Sequence, residues 1–356
     1  MFSIFASWGA LEIILGIIAV AGVIIIVGSR LTKIADELAQ LTGLSSSWIG
    51  IIFLALITSM PELVSSITAV ATGSPDIGIG NVFGSNMFNM FIIAILDFLQ
   101  GPGPLMLSVS ATQILPAALG IFLMAMAAIG IFAAESMSSG SASEGIGWFF
   151  SVFIFVAWII GTYIIFKSEQ ETVSDEAYFR RRKKAKIGRL IAEFSVNAFI
   201  IIIAGILLIG LAEQLSHIEL ALGSFRFSLK ESFIGTMIVA VITSLPELVV
   251  SISAYRIGAI NMAIANLFGS NTYNMVLIPI MDVVGRKSVL AAASPVHILA
   301  AGFGIVLISI AIMGVIYRSR KSFLYLGWDA LAIFALYLFG AYMLFQVAIQ
   351  PIQGTI

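Results

Sequence analysis

The chain of 356 residues contains no cysteine, so disulfides and thiolate metal sites are excluded. Histidine is almost as scarce. Only His217 and His297 occur, far apart and without metal-ligand spacing, which argues against a zinc-type catalytic centre. Neither H-E-x-x-H nor G-x-S-x-G is present, and no Ser/His pairing is evident, so the chain reads as a non-enzyme rather than an intramembrane hydrolase. Charge is also rare: Asp, Glu, Lys and Arg make up 10% of residues, against about 25% in a soluble domain. In their place, 60% of residues are hydrophobic and the mean hydropathy is +1.09. These values describe an integral membrane protein built almost entirely of helices. The net charge of −1 carries little information, because the charges are few and segregated.

Ten apolar stretches reach spanning length, roughly 20 residues each. They lie near 8–29, 47–72, 76–98, 108–134, 146–167, 191–213, 232–256, 259–283, 293–317 and 324–349. The first does not read as a cleaved signal: no basic residue precedes it, Glu12 sits in it, and no small-residue cleavage site follows. With the loop after the first span in the cytoplasm, 14 of the 18 basic residues fall on the cytoplasmic side. They are Arg30, Lys33, the Lys167 to Arg189 cluster, Arg256, Arg318, Arg320 and Lys321; Arg226, Lys230, Arg286 and Lys287 fall outside. The positive-inside rule therefore places both termini outside. The run Glu135 to Gly145, free of basic residues, suits an external loop. The single long polar run, around Arg180 to Lys184, reads as a solvated loop carrying the topology signal, with a lipid-surface contact as the alternative. The expected organisation is an N-terminal half (1–167), a basic cytoplasmic loop (168–190) and a C-terminal half (191–356).

Two segments repeat. Gly50 to Asp97 aligns with Gly235 to Asp282 without a gap, at a constant offset of 185, and 24 of 48 positions are identical. "ITSMPELVSS" and "ITSLPELVVS" match, as do "FGSNMFNM" and "FGSNTYNM". Shared composition explains common Leu and Ile, but not T-S-x-P-E-L-V and F-G-S-N-x-x-N-M at one offset. The unit is duplicated. Five spans per half is an odd number, so corresponding helices cross the membrane in opposite senses. Such inverted repeats typify secondary transporters, whose ion or substrate site lies near the bilayer midplane between the repeats.

The repeated polar residues suggest what that site takes. Pro61 and Pro246 lack an N–H and their rings clash with the carbonyls of Ile57 and Ile242, so each helix should kink or unwind just before its glutamate. Backbone groups freed at that depth must face protein or a polar cavity. Glu62 and Glu247 need a counter-charge, because an ionised group at a helix centre costs about 2.5–3.5 kcal/mol on insertion scales. No Lys, Arg or His lies in the central part of any span, leaving a solution cation or a proton as partner. The surrounding candidates are the hydroxyls of Thr58, Ser59, Ser85, Thr243, Ser244 and Ser270, the amides of Asn89 and Asn274, and freed carbonyls. All are hard oxygen donors, a set that suits Ca²⁺ or Na⁺. Two carboxylates match one Ca²⁺ or two monovalent ions. Ser59 with Glu62, and Ser85 with Asn89, share helix faces by spacing. The glycines and alanines of "GIGNVFGSN" and "AIANLFGSN" permit close helix approach. Asn81, Asn86, Asn266 and Asn271 read equally as interhelical hydrogen-bonding residues. Asp97 and Asp282 read as caps or interfacial groups, Glu12 and Glu193 as interfacial, and the histidines as loop or helix-end residues.

The two blocks resemble the alpha-repeats of the cation/calcium exchanger superfamily, whose sodium/calcium exchangers carry G-T-S-x-P-E and G-S-N-x-F-N/D motifs. The resemblance extends to the ten-helix layout and the basic central loop. It implies an ion-binding core from the second, third, seventh and eighth helices, with the first and sixth sliding against it. By position, Glu62 and Glu247 would bind Ca²⁺, and Thr58 and Thr243 would contribute carbonyl oxygens. Ser59, Ser85, Ser244 and Ser270 would line Na⁺ sites, with backbone carbonyls from Ala55 and Ala240, and Asn89 and Asn274 would sit at the centre. Two departures stand out. Ile57 and Ile242 replace the usual Gly before T-S, and Asn274 replaces the Asp found in many sodium/calcium exchangers, removing one titratable group. The G-N-x-x-E motif of the proton/calcium branch is absent as well. The reading that results is a Ca²⁺ antiporter working by alternating access, with Na⁺ or H⁺ as counter-ion and a channel or uniporter as the competing class. Its partners are small inorganic cations and the lipid bilayer of a prokaryotic plasma membrane. No nucleic acid, resident cofactor or obligate protein partner is expected.

Overall fold

The structure is a computed structural model and describes residues 8–137, 140–173, 184–217, 237, 239–318, 322–323 and 326–349. Arg180 to Lys183, Arg226, Lys230, Arg320, Lys321, the opening of the expected seventh span (232–236 and 238) and the side chains of Lys184, Lys186 and His217 lie outside the described residues.

Among the described residues, ten helices of at least 12 residues follow one another. They are α1 (Ala10–Thr42), α2 (Met60–Ala71), α3 (Pro75–Gln100), α4 (Ile114–Ser136), α5 (Ser141–Val173), α6 (Lys184–His217), α7 (Leu245–Arg256), α8 (Ile260–Gly285), α9 (Val296–Tyr317) and α10 (Trp328–Ile349). Seven are long and apolar enough to cross a membrane, and an eighth span forms if Ser46–Thr58 and Met60–Ala71 count as one helix bent by 40°. The helix α8 has the same 26 residues as α3 in length yet is not among the seven. It keeps the three asparagines of α3 and is more polar by Thr272, Tyr273 and Pro279, where α3 has Met87, Phe88 and Ala94. The only strands among the described residues, Ser322–Phe323 and Leu326–Gly327, form a minimal antiparallel pair ahead of α10.

Several helices overrun the expected spans. Gly16, Gly22 and Gly28 do not interrupt α1 and no Pro occurs before Gly43, which caps it at φ 78°, so Arg30 and Lys33 stand on a continuous 33-residue helix rather than in a loop. At about 1.5 Å per residue the helix is far longer than a hydrocarbon core requires. Its C-terminal extension is amphipathic: Leu31, Ala35, Leu38 and Ala39 are buried, whereas Gln40 is exposed. In the same way, α4 runs to Ser136 and α5 starts at Ser141, so both ends of the expected external loop 135–145 are helical.

The chain breaks where proline requires it. Before α2 the helix carries a wide π turn over Ile49–Leu54, then Ala55–Thr58, and interrupts at Ser59 (φ −84°, ψ 6°). Pro61 sits in the first turn of α2, where its missing N–H costs nothing. The second repeat does the same at Ser244 (φ −85°, ψ 10°), with Pro246 opening α7.

The core is layered by helix. In α3, 78% of the most apolar window is buried, against 17% in α1 and in α5, so α3 is central and α1 and α5 face lipid. Leu11, Leu15, Ile18 and Ile26 of α1 are exposed, as a lipid-facing surface demands. Two glycines let the centre close. A Cβ at Gly269 of α8 would meet the carbonyl oxygen of Ile51 at 2.6 Å, and one at Gly50 would meet that of Met262 at 2.8 Å. These contacts press α8 backbone-to-backbone against the broken helix of the first repeat.

Candidate functional site

The two helix breaks and the middles of α3 and α8 meet at the centre of the molecule. All twelve residues singled out from the sequence are at most 1% exposed: Ala55, Thr58, Ser59, Glu62, Ser85, Asn89, Ala240, Thr243, Ser244, Glu247, Ser270 and Asn274. Because Glu62 and Glu247 follow the breaks, each enters as an acidic residue in the first turn of a helix, at the positive end of its dipole.

The hydrogen bonds cross between repeats. Ser244 Oγ donates to Glu62 Oε1 at 2.9 Å, and Ser59 Oγ donates to Glu247 Oε1 at 3.0 Å. Ser85 adds a bond to Glu62 Oε1 at 3.3 Å, and Ser270 one to Glu247 Oε1 at 3.4 Å. Each of these contacts thus has a mirror 185 positions away. Reciprocal pairing of this kind is the mark of a two-fold relation between like units, and here the units are the two halves of one chain.

The remaining residues sort into layers. Thr243 Oγ1 donates to Asn81 Oδ1 at 3.0 Å, and Thr58 Oγ1 lies 3.4 Å from Asn266 Oδ1, so the threonine hydroxyls are engaged by the opposite repeat. The Ala55 carbonyl accepts from Ser59 N–H at 3.0 Å, and that of Ala240 from Ser244 N–H at 3.0 Å. Asn81 and Asn266 reach back to Ser66 (3.0 Å) and Ser251 (3.1 Å) within their own repeats. Asn89 Nδ2 donates to Asn271 Oδ1 at 2.9 Å, and Asn274 Nδ2 to Asn86 Oδ1 at 3.0 Å.

Four oxygens at the centre are left over. Among the described residues no hydrogen bond reaches Glu62 Oε2, Glu247 Oε2, Asn89 Oδ1 or Asn274 Oδ1, and each is buried. A buried acceptor without a partner is costly, and for a carboxylate more so. The only ion pairs formed by Arg30, Arg189 and His297 among the described residues involve other acids. Four hard oxygens, two of them from carboxyl groups, suit a hard cation.

Other candidates lie apart from this centre. Asp97 Oδ1 accepts the Leu105 N–H at 2.6 Å, and Oδ2 accepts that of Gly327 at 2.7 Å; Asp282 Oδ1 accepts the Val289 N–H at 2.6 Å. Both aspartates are buried caps of the turns that follow their helices. Glu12 bonds the Gly9 N–H at the start of α1, and Glu193 pairs with Arg189 and Arg30. His297, the second residue of α9, is buried with Nε2 3.1 Å from Asp76 Oδ1. Nothing in the sequence signals this tie between the starts of α3 and α9. The roles of Asn86 and Asn271 were open in the sequence too, although both belong to the identical set at offset 185.

The sodium/calcium exchanger protein family matches residues 12–167 and 196–347, most of the chain. "Inner membrane protein YrbG" of Escherichia coli (strain K12) is 25% identical over 261 residues, covering 73% of this chain and 76% of that protein. "Sodium/calcium exchanger MaX1" of Methanosarcina acetivorans is 27% identical over 276 residues, covering 69% of this chain and 75% of that protein. Among solved structures, the sodium-calcium exchanger NCX_Mj soaked with 10 mM Na⁺ and zero Ca²⁺ superposes with a TM-score of 0.69 at 20% identity, covering 93% of this chain and 99% of that one. At that identity the likeness shows the fold.

Proposed function

Because the chain belongs to the sodium/calcium exchanger family, we propose that it is a secondary active antiporter that carries Ca²⁺ across a membrane in exchange for Na⁺ or H⁺. The observation that carries this reading is the set of four unpartnered oxygens on Glu62, Glu247, Asn89 and Asn274. In one half-cycle they hold Ca²⁺, which takes 6–8 oxygen ligands in flexible geometry. The serine hydroxyls and the carbonyls of Ala55, Thr58, Ala240 and Thr243 are the candidates to complete the shell. In the other half-cycle the same two carboxylates hold monovalent counter-ions. An empty site with two charges in a low-dielectric interior is costly, so crossing without an ion is disfavoured and exchange is obligatory.

The two inverted halves, 1–167 and 191–356, are joined by the basic cytoplasmic segment 168–190, and access alternates as α1 and α6 slide against the core of α2, α3, α7 and α8. The distribution of Lys and Arg supports extracytoplasmic termini. Prokaryotic relatives, one of them named an inner membrane protein, support a plasma-membrane location.

The test is Ca²⁺ uptake into proteoliposomes at clamped voltage, with Na⁺ inside, with acid inside, or with neither. Uptake driven by internal Na⁺ makes Na⁺ the counter-ion; uptake driven only by the pH gradient makes it H⁺. Uptake that needs neither belongs to a channel or uniporter and overturns the antiport reading.

A further inference from the structure

Resting on that reading of the site, we infer that Asn86 and Asn271 are positioning residues. They turn the carbonyl oxygens of Asn274 and Asn89 toward the ion and demand a hydrogen-bond donor at positions 89 and 274.

An asparagine side chain presents an acceptor on one side and a donor on the other, and its orientation is set by its partners. Here the chain of constraint starts at the backbone, which cannot flip. Asn86 Nδ2 donates to the Asn271 main-chain carbonyl at 3.2 Å, and Asn271 Nδ2 donates to that of Asn86 at 3.3 Å. A carbonyl only accepts, so both amides must face it with nitrogen. Their oxygens then point the other way, to Asn274 Nδ2 at 3.0 Å and Asn89 Nδ2 at 2.9 Å. An acceptor there fixes the second pair as well, leaving Asn274 Oδ1 and Asn89 Oδ1 free of hydrogen bonds. All four asparagines are fully buried, so no solvent relaxes the arrangement. The clamp has a charge consequence. An ionised aspartate at 274 would set its oxygen against Asn86 Oδ1, acceptor to acceptor. Positions 89 and 274 are thereby kept neutral, and the fixed charge of the site is that of Glu62 and Glu247 alone.

The experiment compares Ca²⁺ transport by Asn86→Ala, Asn86→Ala/Asn274→Asp and Glu62→Gln in proteoliposomes. Asn86→Ala frees the residue 274 amide to turn its N–H toward the cation, and the KM for Ca²⁺ should rise about 10- to 100-fold, as for other residues that orient ligands. In the double variant a carboxylate offers oxygen in either orientation and faces no acceptor, so the KM should return toward the wild-type value. A merely structural role for Asn86 gives no such rescue. The inference is overturned if Asn86→Ala keeps the wild-type KM, or if Asn274→Asp fails to rescue it. Should Asn86→Ala not fold, the mirror variants Asn271→Ala and Asn271→Ala/Asn89→Asp make the same comparison. Glu62→Gln separates the two claims: if it transports normally the site reading itself falls, whereas its loss beside an unaffected Asn86→Ala removes only the clamp.

Discussion

Glu62 and Glu247 each have one oxygen held by two serines and one oxygen without a partner among the described residues. Replacing either by Gln keeps shape and most hydrogen bonds but removes one of the two carboxylates that the proposed function assigns to the cation. Breaking a buried charge pair from one side costs about 3–5 kcal/mol, roughly two to three and a half orders of magnitude in affinity. Each of Glu62→Gln and Glu247→Gln should therefore reduce Ca²⁺ uptake to background at micromolar Ca²⁺. The two variants should behave alike, since the residues are equivalent under the two-fold. The burial and mirrored placement of the two glutamates were legible in the sequence, because they recur at one repeat offset inside apolar spans. The direction of the asparagines was not legible. Nothing in a residue letter says which face of an amide points inward, and that is settled only by the main-chain carbonyls of Asn86 and Asn271.

The elements owe their shape to a few residues. Pro61 and Pro246 place the interruptions at Ser59 and Ser244, as the proline spacing suggested. The π turn over Ile49–Leu54 has no such signal; its Gly50 lies against the Met262 carbonyl of α8. Pro61→Ala restores an N–H and favours a continuous helix, so it should lower Ca²⁺ transport without lowering the melting temperature of the purified protein. A parallel loss of both would show that the break stabilises the fold instead. Gly269→Ala should do the reverse. Its new Cβ would sit 2.6 Å from the Ile51 carbonyl oxygen, and overpacking of this kind costs about 1–3 kcal/mol, to be read as a lower melting temperature. Gly205 of α6 faces the Pro61 ring with no room for a side chain. Gly205→Val should push α6 away from the broken helix and reduce the maximal rate, leaving the Ca²⁺ affinity at equilibrium intact. Helix ends were the least legible part: α1 runs on to Thr42 because its C-terminal extension still buries Leu31, Ala35 and Leu38.

The whole molecule is a pair of like halves whose contacts mirror one another across the site, a relation already visible in the constant offset of 185. The odd span count and the asymmetry of basic residues predict which side each loop faces. The absence of cysteine makes this easy to check. A single cysteine at exposed Ser141 should react with an impermeant maleimide from the extracytoplasmic side, and one at exposed Gln40 only from the cytoplasmic side. The reverse pattern would invert the topology. The proposed antiport depends on one two-carboxylate site that takes Ca²⁺ and the counter-ion in turn, and equilibrium Ca²⁺ binding to the purified protein probes that proposal without any transport step. One Ca²⁺ should bind per chain, displaced competitively by the counter-ion that drives uptake and lost in Glu62→Gln and Glu247→Gln. Binding that survives both substitutions, or that proceeds with the counter-ion bound at the same time, would contradict the shared site.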